Sequence, residues 1–193
     1  AELTDILTAG TDEEKDAAMR ERFYTKVRMP ATSGNAYHYQ QWALEVPGTG
    51  AAKVLPLDDG PGTVTVLVVD DDMEISSSLP DTVSAYIETV RPIGATVTVE
   101  SPAALTVTIS ANVVLDGSRE IADVKADYEA AVKTFLKDTI FTTYRVSYAR
   151  LSALLLDVAG VEDFDSFQLN SGTGNVMVED KQIPVLGTVS LTE

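Results

Sequence analysis

The segment LTVTISANVVL at residues 105–115 limits the possible folds more than any other part of this chain. Its apolar members Leu105, Val107, Ile109, Ala111, Val113 and Leu115 alternate strictly with mostly polar neighbours. Successive side chains of a strand point to opposite faces, so a period of two means one face against a core and one toward water. The same period governs the stretch before it. AAKVLPL at 51–57 reads as a short strand, DDGPG at 58–62 as a turn, and the β-branched run TVTVLVVD at 63–70 as a strand buried on at least one face. Together they make a hairpin. LPDTVSAYIETV at 79–90 then switches to helical spacing, with Pro80 at a first helical position, Val83, Ile87 and Val90 on one face, and RPIG as the stop. ATVTVE at 95–100 returns to a strand. The order β-β-α-β-β over 51–116 predicts a small open-faced sandwich, with a helix on one face of a mixed sheet.

Helical patterns flank this unit on both sides. Thr11 with Glu14 three residues later forms a capping box, which predicts a helix over about 12–27 ended by Met29 and Pro30. Its apolar stripe of Ala18, Met19 and Phe23 is narrow, so the helix needs another surface to lie on. Asn35 is placed to cap a second helix over 36–46, ended by Pro47 and Gly48. DGS at 116–118 combines a turn with a cap and marks the expected internal boundary. Beyond it, Ile121, Val124, Tyr128, Val132 and Phe135 give an amphipathic helix over 119–137. After an extended FTTYRV, Ser147 caps a helix with Leu151, Leu154, Leu155 and Val158 inward, ended by Gly160. VEDFDSFQLN, NVMVED and IPVLGTVSLT follow as three short strands. The predicted class is α+β, with two small α/β units built of mixed sheets with helices on one face, behind an N-terminal helical segment. The expected divisions are 1–50, 51–117 and 118–193.

Composition narrows the function. With 14 Lys and Arg against 30 Asp and Glu, the formal charge of −16 opposes binding that neutralises phosphates, so nucleic acid is not an expected partner. Zero cysteines exclude disulfides, thiolate zinc sites and a cysteine nucleophile. No apolar run approaches the roughly 18 residues that span a bilayer, and AELTDILTAG lacks the pattern of a signal peptide, so no membrane partner is expected.

The rarest side chains meet in YHYQQW at 37–42, which holds the one histidine and the one tryptophan. A metal bound by His38 needs further histidines or thiolates, and the chain has neither. A Ser-His-Asp triad would need this same His38, yet no serine sits in a GxSxG elbow. On a helix, His38 and Trp42 lie four apart on one face, so Tyr37, His38, Tyr39 and Trp42 read as structural anchors that tie the helical segment to the sheet. Asp70, Asp71, Asp72 and Glu74 lack the spaced ligands and central glycine of a calcium loop and read as a solvated strand end. The glycine-rich GPGTVTV, SGTGN and GTGAAK lack the rest of a phosphate loop. No enzyme signature emerges, and no catalytic residue, cofactor or metal is expected.

Several blocks, in order, resemble one family. TDEEKDAAMRERF, the YxxWALEVPGT block, GPGTV at 60–64, RPIG at 91–94 and IPVLG at 183–187 are similar to the baseplate J-like proteins of contractile phage tails and phage-derived particles. The resemblance runs from about residue 11 to 192. It implies a structural wedge component that builds the ring around the tail hub, joining tube and fibres to the sheath, with no catalytic residues to carry over. It implies other wedge and hub proteins as partners and membership of a ring or homo-oligomer. It also implies a place in the baseplate of a virion or phage-like particle assembled in the bacterial cytoplasm. The alternatives are a tail-associated hydrolase or a carbohydrate-binding module. Family members carry a sizeable region ahead of the acidic helix, and this chain starts without methionine, so it is expected to be a piece of a longer protein.

Overall fold

The computed structural model describes residues 15–28 and 34–193. The predicted capping box at Thr11 and Glu14 lies outside them; the helix that follows is present as α1, Asp16–Arg28. The remaining elements are α2 (Ala36–Glu45), β1 (Thr49–Pro56), β2 (Thr63–Asp70), α3 (Leu79–Val90), β3 (Thr96–Glu100), β4 (Ala103–Leu115), α4 (Ile121–Thr139), β5 (Arg145–Val146), α5 (Tyr148–Leu156), β6 (Val161–Leu169), β7 (Val176–Met177) and β8 (Gln182–Thr192). The class is α+β, with two small mixed sheets, as the sequence predicts.

The first sheet has the order β1-β2-β3. β1 and β2 form the expected antiparallel hairpin, and β3 lies parallel to β2, with α3 as the crossover between them. Pro80 sits in the first turn of α3, where its missing N–H costs nothing. Val83 and Ile87 drop from α3 onto Val66 and Val68 of β2, and all four are essentially inaccessible to water. β2 is buried at every position from 65 to 69, because it is the central strand and both of its faces are covered.

The second sheet corrects the expected division of the strands. The sequence places β4 with the first unit, but its partners are antiparallel β6 and parallel β8, in the order β6-β4-β8. The predicted ββαββ unit is therefore ββαβ. Periodicity reveals which face of a strand is apolar, yet it carries no record of which strand lies beside it. The alternation itself is right: Val107, Ile109, Ala111 and Val113 are buried, and they pack with Val124, Tyr128, Val132 and Leu136 of α4 and with Leu151 and Leu155 of α5. β4 starts two residues after β3 ends, across Ser101 and the buried Pro102. Ser101 Oγ donates to the carbonyl of Ser76 at 2.6 Å, which pins this crossing to the loop before α3.

Local signals in the second half hold up. Ser147 caps α5 by accepting from the Arg150 N–H, and the Tyr128 hydroxyl, buried with its ring, donates to the Leu151 carbonyl at 2.9 Å. Burial pushes the Tyr128 phenol far above its ordinary pKa, so it stays a neutral donor. The extended FTTYRV contributes only the two-residue β5, paired with an equally short β7. Both are too short to count as a sheet edge of consequence.

We propose that the chain divides at Ser101 and Pro102 rather than at 116–118. A fragment of residues 103–193 should melt cooperatively, because it keeps β4 with both partners and with α4 and α5; a fragment of 119–193 lacks the central strand and should give no cooperative transition. Thermal melts followed by far-UV circular dichroism decide between them, and a cooperative melt confined to the shorter fragment would restore the boundary at 117.

Candidate assembly surface

α2 carries the four residues singled out as anchors. Asn35 caps it as predicted, its Oδ1 accepting from the His38 N–H at 2.9 Å. The preceding Gly34 has φ +71, and a Cβ there would overlap the Pro92 ring, so the chain can enter α2 beside the α3–β3 turn only with glycine at that position. The Gly34 N–H donates to His38 Nδ1 at 3.3 Å, leaving that nitrogen already engaged as an acceptor. The His38 ring lies 3.9 Å from the Trp42 ring, centre to centre, and Tyr39 meets Trp42 edge to face at 5.1 Å.

The four are not equivalent. Tyr39 and Trp42 are buried and join the core under α2 with Ala43, Val46, Val66 and Val83. Burial raises the Tyr39 phenol pKa, partly offset by the charge of Arg91. His38 is half-buried, and Tyr37 points to water with 47% of its surface exposed. A residue missed by sequence reasoning completes the attachment: Gln40 Nε2 donates to the Ala52 carbonyl of β1 at 3.0 Å. At the far end of α2, Tyr86 on α3 donates its hydroxyl to Glu45 at 2.6 Å. Among the described residues no three His, Asp or Glu side chains converge as a metal site would require. The acidic run is turn chemistry: Asp70 Oδ1 accepts from the Glu74 N–H at 2.7 Å, and Glu74 faces Lys137 at 3.4 Å.

The two sheets meet through side chains that no local pattern reveals. The turn before β8 presents Asp180 and Lys181 to the first sheet in a reciprocal arrangement. Asp180 takes the Lys53 ammonium on both Oδ1 and its carbonyl at 2.9 Å. Lys181 sits between Asp58 at 2.6 Å and Glu100 at 3.1 Å. The hydrogen bonds from Lys181 and Thr65 hold the Asp58 carboxyl below the usual carboxylate range, and those to Asp58 and Glu100 raise Lys181. Each pair has at least one well-exposed member, Asp180 in one and Lys181 in the others, so each adds little stability; their geometry fixes orientation. Beneath them a small apolar cluster of Val69, Ile140 and Ile183 joins β2 to the second unit. Beside this junction opens a cleft of about 580 Å³, walled by Ile75, Ala104, Ala130, Val185 and Leu186, with Lys133 and Lys137 on its rim. Val185 and Ile75 are 40% and 41% exposed there.

The chain thus combines two small mixed sheets, each covered by helices, with an apolar cleft at their junction. It belongs to the baseplate J-like family: residues 31–101 match the Baseplate J-like central domain and residues 107–192 the Baseplate J-like protein C-terminal domain. The gap between the two matches, 102–106, takes in Pro102 and the start of β4. The chain is 37% identical to the phage-like element PBSX protein XkdT of Bacillus subtilis (strain 168) over 99% of its length, which covers 57% of that protein. It is 26% identical to the baseplate protein gp47 of Escherichia phage Mu over 94% of its length and 52% of that protein. The chain thus spans little more than half of these relatives. In fold it superposes on a chain of the anti-feeding prophage baseplate with a TM-score of 0.70 at 14% identity, over 94% of this chain and 43% of that one.

Removing the indole with Trp42→Ala should cost about 3–5 kcal/mol, as deleting a buried aromatic does. Tyr37→Ala, at an exposed ring, should stay within about 0.5 kcal/mol. Urea denaturation of both variants checks the pair, and an unchanged midpoint for Trp42→Ala would remove the anchoring role.

Proposed function

We propose that this chain is a structural component of the baseplate of a contractile phage tail or phage-derived particle. It works by protein–protein contact, without catalysis, alongside other wedge and hub proteins. The observation that carries this reading is the succession of the family's central and C-terminal domains over residues 31–192, in a chain whose relatives include a protein named for the phage Mu baseplate. The chemistry of the site supports it. His38 Nδ1 is engaged by its own backbone, Trp42 and Tyr39 are core residues, and the ionic groups at the junction pair with each other. The charge of −16 suits a subunit that stays apart from its own copies until the correct partners arrive. No described helix is long and apolar enough to cross a membrane.

Co-expression with the other baseplate proteins of its own tail should yield a complex that co-sediments with this chain. Incubation of the purified chain with peptidoglycan should release no soluble fragments, whether or not a chelator is present. Failure to join any complex, or chelator-sensitive turnover, would replace the structural reading with the hydrolase.

A further inference from the structure

The two sheet units are linked by a single passage of the chain, through Ser101 and Pro102. Proline fixes its own φ and keeps the residue before it extended, so few backbone torsions are free at this crossing. Among the described residues, no helix or strand of one unit packs along a helix or strand of the other. Ion pairs cross the joint instead: Lys53 with Asp180, Lys181 with Asp58 and with Glu100, and Lys137 with Glu74. The pairs Arg91–Glu88, Arg119–Asp127 and Lys125–Glu129, by contrast, join residues of one unit. Lys53 also lies 5.4 Å from the centre of the Tyr144 ring of the second unit.

Strand register shows what these pairs cover. Lys53 of β1, Leu67 of β2 and Glu100 of β3 are direct partners across the first sheet, so they share one face. Their row is about 9.5 Å wide, or two strand spacings. Asp180 holds the Lys53 end at 2.9 Å and Lys181 holds the Glu100 end at 3.1 Å, so the turn before β8 lies across the row as a strap. The Ala103 N–H donates to the Lys181 carbonyl at 2.8 Å, which ties this strap to the second unit from the first residue past the crossing. Leu67, in the middle of the row, is sealed from water, and Val69 on the same face packs with Ile140 and Ile183. Val66 and Val68 point the other way, beneath α2 and α3. One face of β2 is thus closed by its own unit, and the other is closed from the second unit through partly exposed charges.

We propose that Ser101 and Pro102 form a hinge which the Asp180–Lys181 turn straps shut, and that release of the strap uncovers Leu67 and Val69. Each ion pair is weak, because at least one partner is exposed and salt screens it. Acting together on one pivot, they hold the joint closed at rest and let it open at a cost set by charge. The apolar patch of Val69, Ile140 and Ile183 is small enough that it does not lock the joint alone. This hinge goes beyond the structural reading above. It is measured on the isolated chain, so success or failure in binding other baseplate proteins does not decide it.

The chain has no cysteine, so a single introduced thiol reports on its own position. Val69→Cys places a thiol of similar volume on the strapped face, and Val66→Cys places one beneath α2 and α3 as the control. The rate at which each reacts with an aromatic disulfide reagent, under native conditions in the full chain, follows the population in which that position is open. Position 69 should react faster than position 66. Adding Lys181→Glu turns two attractions into repulsions and should speed position 69 at least about fivefold, leaving position 66 within about twofold. Lys53→Glu, at the other end of the row, is the second variant and should act in the same direction should Lys181→Glu disturb the fold. Joining Lys181→Glu to Asp58→Lys and Glu100→Lys restores opposite charges and should return position 69 to its slow rate. Raising salt from about 0.1 M to about 0.5 M should speed position 69 alone in the otherwise unsubstituted chain. A rate at position 69 that ignores the charge reversals and salt overturns the proposal, as does one that stays fast once opposite charges are restored. So does a rise shared equally by position 66, which means that the first unit unfolds as a whole and does not swing open.

Discussion

The parallel ladder between β4 and β8 joins the middle of the chain to its end, from Ala103 opposite Gln182 to Asn112 opposite Thr192. Everything in the second unit hangs on it. With β6 on its other side, β4 becomes a central strand, and its row of Val107, Ile109, Ala111 and Val113 becomes a floor that α4 and α5 can cover. Parallel pairing requires a long connection between its strands, and here α4, α5 and β6 occupy that connection. The ladder must tolerate one irregularity: its register shifts between Val107 and Ile109, close to Gly187, where a Cβ would press on the Thr106 methyl.

The same ladder delivers the junction. Because β8 runs beside β4, the turn before it is carried to the edge of the first sheet, where Asp180 and Lys181 find Lys53, Asp58 and Glu100. Each pair has an exposed member and is individually weak, but the pairs alternate in sign, so a slip of either unit would set like charges against each other. Val69, Ile140 and Ile183 supply an apolar contact of modest size at the same place. The two sheets are thus held in one orientation by a small patch and a charge pattern, which leaves the cleft beside them open and lined with side chains from both units.

α2 gathers the chain's rarest side chains at its contact with the first sheet. Trp42 and Tyr39 are buried against the first sheet, His38 is stacked on Trp42 with Nδ1 engaged by Gly34, and Gln40 reaches across to β1.

The sequence by itself determined what depends on neighbours in the chain. The Asn35 and Ser147 caps, the hairpin of β1 and β2, the start of α3 at Pro80 and the alternation of β4 all follow from contacts within a few residues, so they could be read directly. It singled out Tyr37, His38, Tyr39 and Trp42 together as anchors, with His38 and Trp42 four apart on a helix, and only the packed fold separates the buried Tyr39 and Trp42 from the half-buried His38 and the exposed Tyr37. Tertiary structure decided the partners. Whether β4 joins the strand two residues before it or those that come much later is settled by which helices can cover its apolar face. α4 and α5 do so only in the second sheet. The pairing of Lys181 with Asp58 and Glu100, and the cleft beside it, belong to the same class, because side chains so far apart in sequence meet only after both sheets have formed and docked.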